Sequence, residues 1–294
     1  MTTSAKSDNL PCKSFLDTSA VYKLQIGASA HIEHLAAAIP KKWYVNNYVK
    51  MEYYRSCLMH WIALYFESEH PMHRTFGDTL KYYADKFGRE AKTALNAVAS
   101  IELEGFSFAS PEDKEYCRQK LQDFIFEMAL QFDLTFADMG KDPTKCSRVR
   151  CPIELPEASE RDTMLVKVLL VFSDNKECRS RCQIDQLFER EPYKTMMDKI
   201  AAIPRQGKVK DALERIVNTI AIARGDSAGI TCHSCGRIGD AVIASLLDPA
   251  WKLHSMDAVH GPISEAIGLQ YQIHPSLAAL KNAATSTPAS APLT

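Results

Sequence analysis

The stretch SFLDTSAVYKL (Ser14–Leu24) decides how the chain is read. Phe15-Leu16 is a short apolar run. Asp17 ends it, and two hydroxyl residues lead into helix formers. A strand that stops on an acid and passes at once into a helix is the unit of a parallel α/β sheet. Asp17 then has two readings. It caps the helix, accepting backbone N–H groups for about 1 kcal/mol. Or it stands at the carboxyl end of a parallel strand, where open α/β sheets bind their ligands.

Working outward, Thr18 to Ala38 reads as helix, stopped at Ile39-Pro40 because proline disfavours a helical residue before it. A long aromatic helix is expected from Val45 to Phe66, with Tyr44 just ahead of it. Tyr44, Tyr48, Tyr53, Tyr54, Trp61 and Tyr65 read as core. Further helices are expected over 76–100, 111–132, 183–203 and 208–223. Between them, 138–160 is proline-rich and irregular. RDTMLVKVLLVFS (Arg161–Ser173) reads equally as strand or buried helix. Near the carboxyl end come a strand over 229–232, a helix over 240–247, a strand Trp251–Ser255 and a helix over 263–269. The last residues, rich in Ser, Thr, Pro and Ala, read as a disordered tail from 278 to 294.

The 294 residues are 46% hydrophobic, enough for a substantial core. Thirty-six acids against 35 bases exclude the strongly basic signature of a nucleic-acid binder, leaving only a local basic face. The opening MTTSAKSDNL has no apolar signal core, and no run of about 18 apolar residues follows. A cytoplasmic protein without a membrane span is expected, its nine cysteines reduced.

Four acids share an unusual placement. Asp17 and Asp257 follow the strands ending at Leu16 and Ser255. Asp240 opens a helix. Glu52 lies in the apolar stripe Val45, Val49, Glu52, Ser56, Met59 at helical spacing. Singly, the aspartates read as caps or turn residues and Glu52 as a solvated rim residue. Together they imply something positive among them, because two carboxylates about 5 Å apart repel by about 3 kcal/mol at an effective dielectric near 20. Hard oxygen ligands point to Mg²⁺ or Mn²⁺, and such ions serve phosphodiester hydrolysis.

FLDTSAVYKL (Phe15–Leu24), VKMEYYRSCL (Val49–Leu58), GDAVIASLL (Gly239–Leu247) and WKLHSMDAVHGPI (Trp251–Ile263) resemble the four signature segments of PIN-domain ribonucleases. The resemblance covers residues 12–64 and 217–277. It implies a PIN-like three-layer α/β/α core with a central parallel sheet, interrupted by a mainly helical insertion over 65–216. It implies a metal-dependent ribonuclease, toxin-like or regulatory, whose catalytic and metal-binding residues are Asp17, Glu52, Asp240 and Asp257. Ser19 and Ser255 fall on the supporting hydroxyl positions. RNA is the implied partner, with a protein inhibitor or regulator and a homodimer as further expectations. Because inactive members of this family exist, a PIN-like module that binds RNA or protein without turnover is the alternative.

Other groups stay open. Cys232-x-x-Cys235 and Cys178-x₃-Cys182, with Cys146 and Cys151 as a further pair, are read as zinc ligands or as buried thiols. His31 and His34 read as ordinary surface or core histidines. His254 and His260 flank Asp257 and read as ordinary strand and loop residues or as site lining. Lys41-Lys42-Trp43 and Arg55 are candidate RNA contacts, as is the stretch Arg205, Lys208, Lys210; solvated surface is the other reading.

Overall fold

The computed structural model describes residues 13–98, 108, 110–137, 190–225 and 232–286. The chain divides into two compact units. The first comprises Met1–Val45, Leu187–Ala221 and Asp240–Thr294, and the second Asn46–Gln186 and Ile222–Gly239. The segment carrying Glu52, expected with the core over 12–64, belongs to the second unit.

Among the described residues, the first unit holds a four-stranded sheet that is parallel throughout. Its strands are β1 (Lys13–Leu16), β2 (Trp43–Tyr44), β3 (Trp251–Ser255) and β4 (Gln270–Ile273), in the order β2-β1-β3-β4. The protein is therefore an α/β protein. Ser14, Phe15 and Leu16 are all buried. That is the mark of a central parallel strand covered on both faces. Phe15 pairs with Tyr44 on one side and Leu253 on the other, and its ring meets that of Trp251 at 6.2 Å.

The order has a functional consequence. β1 leads outward to β2 and β3 leads outward to β4, so β1 and β3 lie side by side where the winding reverses. Their carboxyl ends flank the crevice in which open α/β sheets bind ligands. Asp17 and Asp257 follow these two strands.

The helix expected over 18–38 is two helices, α1 (Thr18–Ile26) and α2 (Ser29–Ala38). Gly27 breaks it. Its N–H closes α1 onto the Lys23 carbonyl, and a Cβ there would overlap that carbonyl, so the turn needs glycine.

In the second unit, α3 (Asn47–Tyr53) passes through one π-helical turn (Tyr54–Leu58) into α4 (Met59–Glu67). α4 packs on α5 (Phe76–Val98) and α6 (Pro111–Ala137). Tyr48, Tyr53, Tyr54, Trp61 and Tyr65 are buried, as the sequence implies. Trp61 meets Tyr53 at 6.4 Å and Phe124 at 5.0 Å, both edge-on.

Further along come α7 (Tyr193–Ala201), α8 (Lys210–Gly225), α9 (Cys232–Arg237), α10 (Gly239–Ser245), α11 (His260–Ile267) and α12 (Leu277–Ser286). α7 packs on α11, and α12 on α2. Several of these differ from the sequence reading. Cys232, expected to end a strand, opens α9. The tail expected from 278 begins as α12, which reaches Ser286; residues 287–294 lie outside the described residues. So do 161–173 and the proline-rich stretch. Among the described residues, no helix is long and apolar enough to cross a membrane.

Phe15 is fully buried between the sheet and its aromatic neighbours. Phe15→Ala is expected to cost about 3–5 kcal/mol of stability, read as a lowered urea midpoint at unchanged slope.

Candidate active site

Asp17 is the centre of the site. Its backbone is extended, and its N–H still donates to the His254 carbonyl at 3.1 Å, carrying the β1–β3 ladder one residue beyond the strand. Its carboxylate then turns onto α1. Oδ1 accepts from the Ala20 N–H at 2.8 Å, so Asp17 does cap the helix. Ser19 donates its hydroxyl to the same carboxylate at 2.8–2.9 Å while accepting the Met256 N–H at 3.0 Å. Ser255 donates to Oδ2 at 2.6 Å and accepts the Asp257 N–H at 2.8 Å. The two hydroxyls expected to support the site thus tie the end of β1 to the turn after β3.

That turn brings in a residue given no clear role by the sequence. Asp257 caps it, accepting the Val259 N–H at 3.0 Å, and the next residue opens α11. That residue is His260. It is fully buried, and its Nε2 lies 3.3 Å from Asp17 Oδ2 and 3.1 Å from Asp240 Oδ1. Neither contact has hydrogen-bond alignment, and Nδ1 has no partner. The pair of contacts nevertheless brings Asp17 and Asp240 to one imidazole. The only sequence clue was position, three residues past Asp257.

The charges explain one another. Burial lowers the His260 pKa, but Asp240 and then Asp17 outweigh it and hold the ring well above its ordinary value. Burial raises the Asp17 pKa, and the His260 contact with the Ser255 and Ala20 donors turns the net effect downward. Asp257 is raised, first by desolvation of its carboxyl and next by Asp240, with Asp17 adding a smaller push. Three acids close enough to perturb one another stand around one buried imidazole.

Glu52 lies in the second unit on the stripe Tyr48, Glu52, Arg55 of α3 and the π turn. Its carboxylate rests on Gly239, where a side chain would overlap it. The Arg55 guanidinium lies over Gly236. The Tyr48 hydroxyl donates to the Cys235 carbonyl at 2.6 Å and lies 3.2 Å from that buried thiol. Gly239 immediately precedes Asp240 in the chain.

The remaining candidates fall elsewhere. Lys41 and Lys42 are exposed ahead of β2, and the Lys42 ammonium sits 5.6 Å from the centre of the Tyr44 ring. Arg205, Lys208 and Lys210 are exposed. Cys178, Cys182, Cys146 and Cys151 lie outside the described residues, as does the side chain of Cys232.

His254 does not line the acids. It points to the opposite face of β3 and forms a histidine chain. Its Nε2 is 3.2 Å from Ser14 Oγ and its Nδ1 is 3.0 Å from His274 Nε2. His274 Nδ1 is in turn 3.2 Å from Nε2 of His34. Burial lowers both His254 and His274 to about 4, and neighbouring positive charge assists.

The donor set suits a hard divalent ion: three carboxylates and two hydroxyls, all oxygen. The arrangement is not that of a ready-made cage. Among the described residues, no three His, Cys, Asp or Glu side chains are grouped to hold an ion, and an imidazole stands between two of the acids. No family model matches the chain, and no curated protein or solved structure matches it either.

The histidine chain makes stability pH-dependent. A buried histidine with a lowered pKa binds fewer protons folded than unfolded, so stability falls as pH drops from about 6.5 toward 4. His260, with its raised pKa, contributes in the opposite sense, losing its stabilisation as pH climbs above about 6.5. His254 and His274 together are expected to remove on the order of 2–4 kcal/mol between pH 7 and pH 5. His274→Gln should cut that loss by about half, read from urea unfolding at the two pH values.

Proposed function

We propose that the protein is a PIN-like, divalent-metal-dependent ribonuclease. One observation carries the reading. Asp17 and Asp257 follow the adjacent central strands at the winding reversal, and Asp240 reaches Asp17 across a single imidazole. Carboxylates gathered at that edge of a parallel sheet are placed for a ligand there.

In this reading Asp17, Asp240 and Asp257, all in the first unit, hold Mg²⁺ or Mn²⁺. Bound there, the ion would neutralise the phosphate and make a water nucleophilic at neutral pH. The chain supplies the rest. Ser19 and Ser255 fix the Asp17 carboxylate against rotation. Lys41 and Lys42 are the candidate phosphate contacts of this unit.

A second reading has its own observation. His260 already stands against both Asp17 and Asp240, which suits a scaffold without turnover. The protein would then bind RNA or a protein partner and cleave nothing.

The full-length protein is expected to cut single-stranded RNA with Mn²⁺ and to stop on chelation. Asp17→Asn and Asp240→Asn should each lower the rate on the order of 10²-fold or more, with circular dichroism unchanged. RNA binding without cleavage, or cleavage indifferent to Asp17→Asn, moves the conclusion to the second reading.

A further inference from the structure

We infer that His260 is a plug in the carboxylate site, its ring filling the space between Asp17 and Asp240 that a divalent ion would take, so that the ion enters only as the ring swings out. The inference rests on the metal-dependent reading and adds a closed resting state to it.

The contacts of the ring point this way. Its Nε2 faces two carboxylates at 3.1 and 3.3 Å. The ring occupies the space between those oxygens without hydrogen-bond alignment to either carboxylate. The ring therefore competes with an ion for the same oxygens. Mg²⁺ sits about 2.1 Å from its oxygens, closer to each carboxylate than the imidazole is.

The ring is also poorly anchored apart from those acids. Its Nδ1 is buried without a partner, and so is the Ser264 hydroxyl one turn further along α11. A buried donor left unpaired carries a penalty that water would remove. Departure exchanges two attractions for a doubly charged ion between the same oxygens and returns Nδ1 to solvent. Asp257 and Ala258, three and two residues ahead of His260, are exposed, while Val259 and His260 are buried, so the ring leaves as that turn moves.

The test is titration of the full-length protein with MnCl₂ by calorimetry, in parallel with His260→Asn and Asp17→Asn. The plug predicts that His260→Asn binds Mn²⁺ at least ~10-fold more tightly than the wild type, and that Asp17→Asn abolishes binding. On the wild-type protein, diethylpyrocarbonate labelling read by mass spectrometry should leave His260 unmodified without metal and modify it at saturating Mn²⁺. This second measurement decides the matter if His260→Asn does not fold. Equal or weaker binding by His260→Asn, or a His260 still protected at saturating Mn²⁺, overturns the plug and leaves the nuclease reading standing. No Mn²⁺ binding by either protein overturns both.

Discussion

The burial of one carboxylate governs the first unit. Asp17 is 3% exposed, and a carboxylate so far from water is tolerated only if its charge is answered on the spot. The answer comes from four directions: a backbone N–H of α1, two serine hydroxyls and an imidazole. The partners lie on three segments, Ser19 and Ala20 on α1, Ser255 at the end of β3 and His260 at the start of α11, so satisfying this group fixes those segments relative to one another. Ser255 and Ser19 do double duty, because each accepts a backbone N–H from the β3–α11 turn while donating to Asp17.

The opening alternative, cap or functional acid, is answered by geometry that permits both. Oδ1 serves the helix, and Oδ2 faces the other acids. A carboxylate has lone pairs for several donors, so capping does not exhaust it. That is why strand-end aspartates are ambiguous in sequence: the same residue type satisfies the helix terminus and supplies charge to the crevice.

Much of this was legible because it rests on short-range chemistry. β3 spans the residues its alternating pattern indicates, and the Asp17 turn follows from one acid before a helical run. Other features depend on partners distant in the chain. β4 reads QYQI, mostly polar, and becomes a strand because it pairs with Lys252–Ser255 along the sheet edge. The Gly27 break turns on a close approach to a carbonyl, which periodicity does not register. The π turn after Glu52 shifts the phase of the stripe, so that Cys57 and Leu58 are buried while Ser56 is exposed and Met59 half-buried. His260 was placed beside Asp257 by its number, but its neighbour Asp240 could be known only from the fold. The assignment of Glu52 to the second unit was likewise hidden, since its helix carries the same apolar stripe in either unit.

The histidine chain behind β3 has a property that its individual contacts do not reveal. Each neutral imidazole has one nitrogen that gives a hydrogen and one that takes it. Ser14, His254, His274 and His34 are joined through opposite nitrogens of each ring, so their tautomers are not independent. If His254 gives to the serine, His274 must give to His254 and His34 to His274; reverse one and all reverse. Four residues drawn from β1, α2, β3 and the segment after β4 thus share a single directional choice, a two-valued internal arrow strung across the sheet.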